Sequence, residues 1–174
     1  MTLFALIASM VALASPTAHG PIDVRCAPIR GESLGMASPW NGYVTLAPEA
    51  CRNVRRVIKH KAWAPSPDPF PGARRVSYPR SLDPIAIQNG LFVLLHEAGH
   101  MGQWHDGYIT SERGCEVVRG CELDASCRAL AGMSYALRRL GYSPAVRQHA
   151  VRLIRQRIAD PRAIPRRYVG KCPR

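Results

Sequence analysis

A chain of 174 residues fits one ordinary domain, and 47% hydrophobic against 21% charged residues is a globular composition that excludes a disordered tail, a fibre or a multidomain machine. The 24 Lys and Arg against 12 Asp and Glu leave a formal charge of +12, so the surface attracts anions. Charge of one sign suggests a partner but names no reaction.

From Leu3 to Ala14 the chain reads LFALIASMVALA, too short for a membrane span but the right size for a signal-peptide core, and Ala12-Leu13-Ala14 fits small-x-small cleavage. Residues 1–14 are therefore expected to be a signal peptide, or an uncleaved anchor since no Lys or Arg precedes the run, and 15–174 a single domain. All six cysteines (Cys26, Cys51, Cys115, Cys121, Cys127 and Cys172) lie beyond that point. An even count in an exported chain reads as disulfides, and Cys172 is well placed to tie down the tail. No CxxC occurs, so a sulfur metal site is the weaker reading.

Residues 15–42, punctuated by Pro and Gly, read as irregular with a short strand at Val24–Cys26. Gly42–Leu46 reads as a strand and Pro48–Ile58 as a helix opened by its proline. Residues 64–72, with four prolines, read as a loop, and Arg74–Tyr78 as a short strand. Asp83-Pro84 is an N-cap followed by Pro at the first helical position, and the helix it opens is apolar on nearly all sides between Leu91 and Leu95, which predicts burial. A loop around Gly102–Thr110 is expected next, then a long helix over roughly 112–140 ended by Gly141. Ser143-Pro144 opens a last helix to about Ala159, and a proline-rich tail follows. From Arg147 onward the chain carries +8 of the total, a solvated face that also suits attraction to an anionic envelope surface.

His96-Glu97-Ala98-Gly99-His100 is an HExxH sequence on the predicted buried helix. Histidines at i and i+4 share one face and can converge on one ion, with Zn–N bonds of about 2.0–2.1 Å. Glu97 projects about 100° round the helix from His96, where it can reach a water on the open side of the metal. Chance placement of six His and six Glu gives about 0.007 such matches, so the motif is a strong signal. A catalytic zinc needs a third protein ligand. Asp106 stands six residues after His100, at the last-ligand position of the compact HExxHxxGxxH/D pattern, but Gln103 occupies that pattern's glycine. His105 is one residue out of register. Glu122, in CELDASC, lies 22 residues beyond His100, and Glu116 and Glu112 are further candidates.

HEAGH followed by ELDASC resembles the gluzincin-type zinc metallopeptidases, in particular small exported bacterial and phage-encoded ones whose HExxH is followed by a helix carrying ExxA-[DE]-C or similar. The likeness covers roughly 42–172, including YVTLAPEAC, Pro165-Arg-Arg-Tyr168 and the late Cys172, but only the HExxH and ExxAxC parts are specific. It implies Glu122 as third ligand, Zn²⁺ as cofactor, and an α+β, helix-rich, zincin-like fold with a small sheet beside the HExxH helix. Relatives often carry an acid four residues after that Glu to orient a zinc histidine. Here Ser126 stands there, so metal affinity or activity is expected to be lower, or Asp124 or Asp106 to take over.

The expected activity is hydrolysis of a peptide or amide bond, with Glu97 as general base. Candidate donors to the developing oxyanion are His105, Tyr108, His149 and Tyr168, and substrate is expected along strand 74–78, where Arg74 and Arg75 favour acidic segments. The alternative is an exported, disulfide-stabilised cationic protein that holds metal without turnover. A nucleic-acid module has little beyond its charge to support it, with no finger spacing and only 7% aromatic residues. A secreted, periplasmic or cell-envelope monomer acting on a peptide or protein is the expectation.

Overall fold

Prolines and glycines set most element boundaries in this computed structural model, which describes residues 22–31, 33–59, 63–64, 81–111, 114–116, 118–162, 167 and 170–172. The expected signal peptide, the strand at 74–78 and Tyr168 lie outside the described residues, as does all of the 64–72 loop except Ala64.

Three short strands, β1 (Asp23–Cys26), β2 (Gly35–Ser38) and β3 (Tyr43–Leu46), form a mixed sheet in the order β1-β3-β2. β1 runs parallel to the central β3, with Val24 beside Val44, and β2 runs antiparallel to it, with Ala37 beside Val44. β2 corrects the reading of 15–42 as irregular apart from Val24–Cys26. Its sequence, Gly-Met-Ala-Ser, lacks the β-branched alternation that marks a strand, and pairing to β3 on one side supplies the order that propensity does not. A second ladder of two residues per strand joins β4 (Trp63–Ala64) to β5 (Ser81–Leu82).

Pro48 opens α1 (Pro48–Ile58) as expected, and its apolar face carries the buried Ala50, Val54 and Val57. The Asp83 carboxylate accepts from the Ile85 and Ala86 amides and starts a helical path through Pro84–Ala86. One widened π-helical turn, Ile87–Leu91, then leads into α2 (Phe92–His105), which carries the HExxH sequence. The wide turn lies against α1, where a Cβ on Gly90 would fall 2.7 Å from Asn53 Cβ and 2.8 Å from the Val54 amide nitrogen. α2 runs three residues beyond Gly102, into the region expected as a loop, because Gly102 and Gln103 are buried. Burial outweighs the roughly 1 kcal/mol that glycine costs inside a helix. The helix ends at Asp106, and Gly107 follows at φ +72°.

α3 (Cys121–Arg139) begins nine residues later than the expected 112. Gly114 and Gly120 adopt left-handed φ of +54° and +80°, conformations that interrupt a helix, and a single 3₁₀ turn, Gly114–Glu116, lies between them. Gly141, at φ +82°, follows the end of α3 as expected, and the Ser143 hydroxyl accepts from Val146 to start α4 (Pro144–Ala159).

Two apolar clusters flank the HExxH helix. Leu91 and Leu95 pack with Met133, Leu137, Ile154 and Ile158 of α3 and α4, while Leu94 and Ala98 pack with Val44, Leu46 and Val54 of the sheet and α1. Burial on two sides is what the unbroken apolar run before His96 predicts, and it fixes the roll of the helix. The six cysteines form three pairs at disulfide distance, with Cα separations of 6.0 Å for Cys26–Cys51, 5.2 Å for Cys115–Cys121 and 5.3 Å for Cys127–Cys172. The first joins β1 to α1, the second joins the 3₁₀ turn to the start of α3, and the third ties the tail to α3. The fold is thus helix-rich, with a small sheet beside the HExxH helix.

Gly99 lets α2 and α3 approach closely, since a Cβ there would fall 2.9 Å from the Ala125 carbonyl oxygen and 3.1 Å from its Cα. Backbone atoms of a packed helix cannot step aside as a flexible side chain can. Gly99→Ala is expected to cost about 1–3 kcal/mol by overpacking. Chemical denaturation checks this, and an unchanged midpoint would show that the two helices separate freely.

Candidate metal centre

His96 and His100 share the face of α2 turned toward α3, and Glu122 stands in the first turn of α3 where the Gly99 contact brings it opposite them. His96 Nε2 lies 3.1 Å from His100 Nε2 and 3.1 Å from Glu122 Oε2, and His100 Nε2 lies 3.3 Å from the same oxygen. These three atoms form a nearly equilateral triangle. Ligand atoms at about 2.0–2.1 Å from a tetrahedral ion are themselves about 3.3–3.4 Å apart, so the spacing suits one metal seated just off the triangle's plane with a corner left over. The three residues could hold a metal ion.

The surrounding hydrogen bonds turn the correct nitrogens inward. Gln103, fully buried, donates from Nε2 to the Cys121 carbonyl (2.8 Å) and to Asp124 Oδ2 (2.8 Å), which fixes the orientation of its amide. Its Oε1 then faces His100 Nδ1 at 2.7 Å and can only accept, so Nδ1 carries the proton and Nε2 presents a lone pair. Ser126 Oγ, also buried, sits 3.2 Å from His96 Nδ1 and can accept in the same way. Two imidazole lone pairs and a carboxylate oxygen within 3.1–3.3 Å of one another need positive charge among them. That donor set fits a divalent cation.

An uncharged hydroxyl, that of Ser126, therefore stands beside His96 Nδ1 where an acid could have been. Asp124 reaches His100 only through Gln103, and is itself held by Arg128 Nε at 2.8 Å. Asp106 bonds the same guanidinium at 2.6 Å and is not part of the triangle. Neither His105 nor Glu116 joins it among the described residues, and Glu112 lies outside them. A second grouping, His100 with Cys115 and Cys121, also lies within ligand distance, with Cys115 Sγ 3.3 Å from His100 Nδ1. Its two sulfurs are bonded to each other and His100 Nδ1 is committed to Gln103, so the His–His–Glu group is the better metal site.

Glu97 is 8% exposed and lines the same cleft, held between α2 and the edge strand β2. The Ala37 amide donates to its carboxylate. Gly35 makes room for it, since a Cβ there would lie 2.7 Å from Glu97 Cγ and 2.8 Å from its Oε1. Burial pushes the Glu97 carboxyl up from its ordinary value, assisted by the nearby Glu122 charge and opposed by His96, His100 and the Ala37 amide. Burial acts in the same sense on Glu122, but in the metal-free protein, where a proton on Nε2 takes the place of an ion, hydrogen bonds from His100 and His96 outweigh it and hold that carboxyl well below the usual carboxylate range. For His100 burial disfavours the cation, and the Glu122 hydrogen bond with the Glu97 and Glu122 charges more than offsets it, so the imidazole is raised. The two acids thus differ in character, one ligand-like and one closer to taking up a proton.

The cleft measures about 1060 Å³ and is lined by β2 and the turn after it, by the HExxH face of α2, and by residues 114–116 and 118–122. Among the described residues its sheet wall is β2; strand 74–78, to which the sequence pointed, lies outside them. Of the expected oxyanion donors, His105, Tyr108 and His149 do not line it, and the Tyr108 hydroxyl instead donates to the Arg119 carbonyl at 3.3 Å. Residues that the sequence left unmarked include Gly35, Met36, Trp40 and Trp104, whose importance comes from chain crossings that no local pattern records.

Ser126→Ala leaves the His96 Nδ1 proton without this acceptor. It is expected to weaken metal binding about 10–100-fold with helicity unchanged, as measured by competition with a chromophoric chelator. Equal affinity would remove the orienting role from Ser126.

Comparison of the chain with protein-family models, curated proteins and solved structures found no match.

Proposed function

We propose that the protein is a zinc-dependent hydrolase of peptide or amide bonds with a zincin-like active site of the gluzincin type. The observation that carries this reading is the convergence of His96 Nε2, His100 Nε2 and Glu122 Oε2 at 3.1–3.3 Å, with a buried, separate carboxylate, Glu97, beside them in an open cleft. A structural zinc site closes with four protein ligands and has no use for an adjacent base, whereas three ligands and a carboxylate are the requirements of hydrolysis. The HEAGH and ELDASC motifs and a mixed sheet with its edge strand beside the HExxH helix support the zincin-like assignment.

In this mechanism His96, His100 and Glu122 would hold the ion, which when bound would supply Lewis acidity. Glu97 takes the proton from the attacking water and delivers it to the departing amine. Ser126 and Gln103 keep the two imidazoles in the tautomer that exposes Nε2. Substrate lies along β2. The Leu34 carbonyl accepts from Ala47, which turns the alternate residues Gly35 and Ala37 toward the outer edge of the sheet; the Ala37 amide there serves Glu97 and the Gly35 carbonyl accepts from Ser33 Oγ, so the Gly35 amide and the Ala37 carbonyl are the groups that would meet a substrate backbone. The three cysteine pairs agree with an exported or envelope location, and the acid-free α4 with an anionic envelope surface.

The experiment is hydrolysis of an unstructured protein such as casein by the folded, zinc-supplemented chain. Cleavage that stops with a chelator and returns with zinc is expected. Zinc binding with no cleavage across varied substrates would favour the second reading, a cationic metal-binding protein without turnover, which the uncharged Ser126 and Gln103 beside the histidines favour.

A further inference from the structure

Among the described residues, four large hydrophobic side chains are exposed, and two of them, Met36 (47%) and Trp40 (52%), line the cleft. Single exposed apolar residues are ordinary on a protein surface. These two come from β2 and the turn that follows it, and Trp104, from the last turn of α2, meets the Trp40 ring edge to face in the same wall. The turn carrying Trp40 is well defined: Pro39 fixes its start, Asn41 Nδ2 donates to Ser38 Oγ at 2.9 Å, and Gly42 closes it at φ +69°. An aromatic wall held in place loses little freedom when a ligand side chain settles on it.

The lining also carries charge. Once Glu97 and Glu122 are balanced by a divalent cation, the charges left among the described lining residues are Glu116 against Arg119 and Arg167, a net positive balance. Arg119 follows the 3₁₀ turn, and the Tyr108 hydroxyl bonded to its carbonyl steadies it.

Resting on the reading of this cleft as a peptide hydrolase site, we infer that it selects an extended peptide carrying a large apolar or aromatic side chain against Met36, Trp40 and Trp104 and a carboxylate facing Arg119. The apolar wall excludes a charged side chain because burying one there leaves it unpaired. The Arg119 side favours an acidic group over a basic one by charge complementarity.

The test uses the zinc-loaded Glu97→Gln protein, which separates binding from turnover, with a position-scanned set of labelled hexapeptides followed by fluorescence anisotropy. The strongest binders are expected to contain one Phe, Leu or Trp and one Glu or Asp. Replacing that apolar residue by Ala in the peptide, or Trp40 by Ala in the protein, is expected to weaken binding about tenfold, and the two changes together little further. Trp40→Phe is expected to restore most of the loss. Arg119→Ala is expected to remove the preference for Glu over Gln in the peptide. Metal content equal to that of the parent establishes that each variant keeps its site. Selective binding without cleavage by the wild-type protein would leave the subsite in place and overturn only the hydrolase reading. Basic peptides binding best, binding indifferent to Trp40, or no peptide binding at all would overturn the inference.

Discussion

Glu97→Gln is expected to keep about one zinc per chain and to lower peptide hydrolysis by about two to four orders of magnitude, the usual contribution of a positioned general base. The substitution preserves shape, so the contact with Gly35 and the neighbouring β2 edge survive. It removes the group proposed to take the proton, and neither of the other two carboxylates among the described lining residues is placed to replace it. Glu122 is held in its ionised form by both histidines, and Glu116, on the 3₁₀ turn, is not among the residues grouped at the His–His–Glu site. Metal analysis and turnover measured on one preparation check the result. Turnover equal to that of the wild type would remove the role assigned to Glu97.

Glu122→Ala is expected to weaken zinc binding by more than about 100-fold, since even residues that only orient a ligand are worth about 10–100-fold. Glu122 is the one anionic corner of the triangle, and its loss leaves two neutral imidazoles to hold a divalent ion. Competition with a chelator of known affinity measures the loss. Asp106→Ala provides the contrast, because that carboxylate is bound to Arg128 and its removal is expected to leave zinc affinity within about threefold of the wild type. The reverse ranking would move the third ligand to Asp106.

The part of the site written in one stretch of chain was legible in the sequence. Two histidines one helical turn apart, with an apolar run ahead of them, set both the face and the burial of α2. Glu122 was legible only through its ELDASC context, because a carboxylate 22 residues away converges on the histidines by a helix crossing that depends on Gly99 meeting Ala125. Gln103 shows the limit of pattern reading. Judged against a compact motif it is a failed glycine, yet within a helix that continues past Gly102 it is three residues after His100 and on the same side, where it fixes the imidazole. The start of α3 was misplaced for a related reason. Residues 112–120 read as a continuation of the helical pattern that follows them, but Gly114 and Gly120 take left-handed conformations and the Cys115–Cys121 pair holds the turn between them. β2 was missed because its four small or flexible residues gain their order from β3, and Gly35 is glycine for the sake of Glu97, sixty-two residues later in the chain.

X-ray diffraction from crystals of zinc-supplemented protein, recorded on both sides of the zinc absorption edge, tests the central claim most directly. The account predicts a single strong anomalous peak within about 2.0–2.2 Å of His96 Nε2, His100 Nε2 and a Glu122 carboxylate oxygen, with no fourth protein ligand. A peak located elsewhere, a fourth side chain closing the site, or no peak at full zinc supplementation would contradict it.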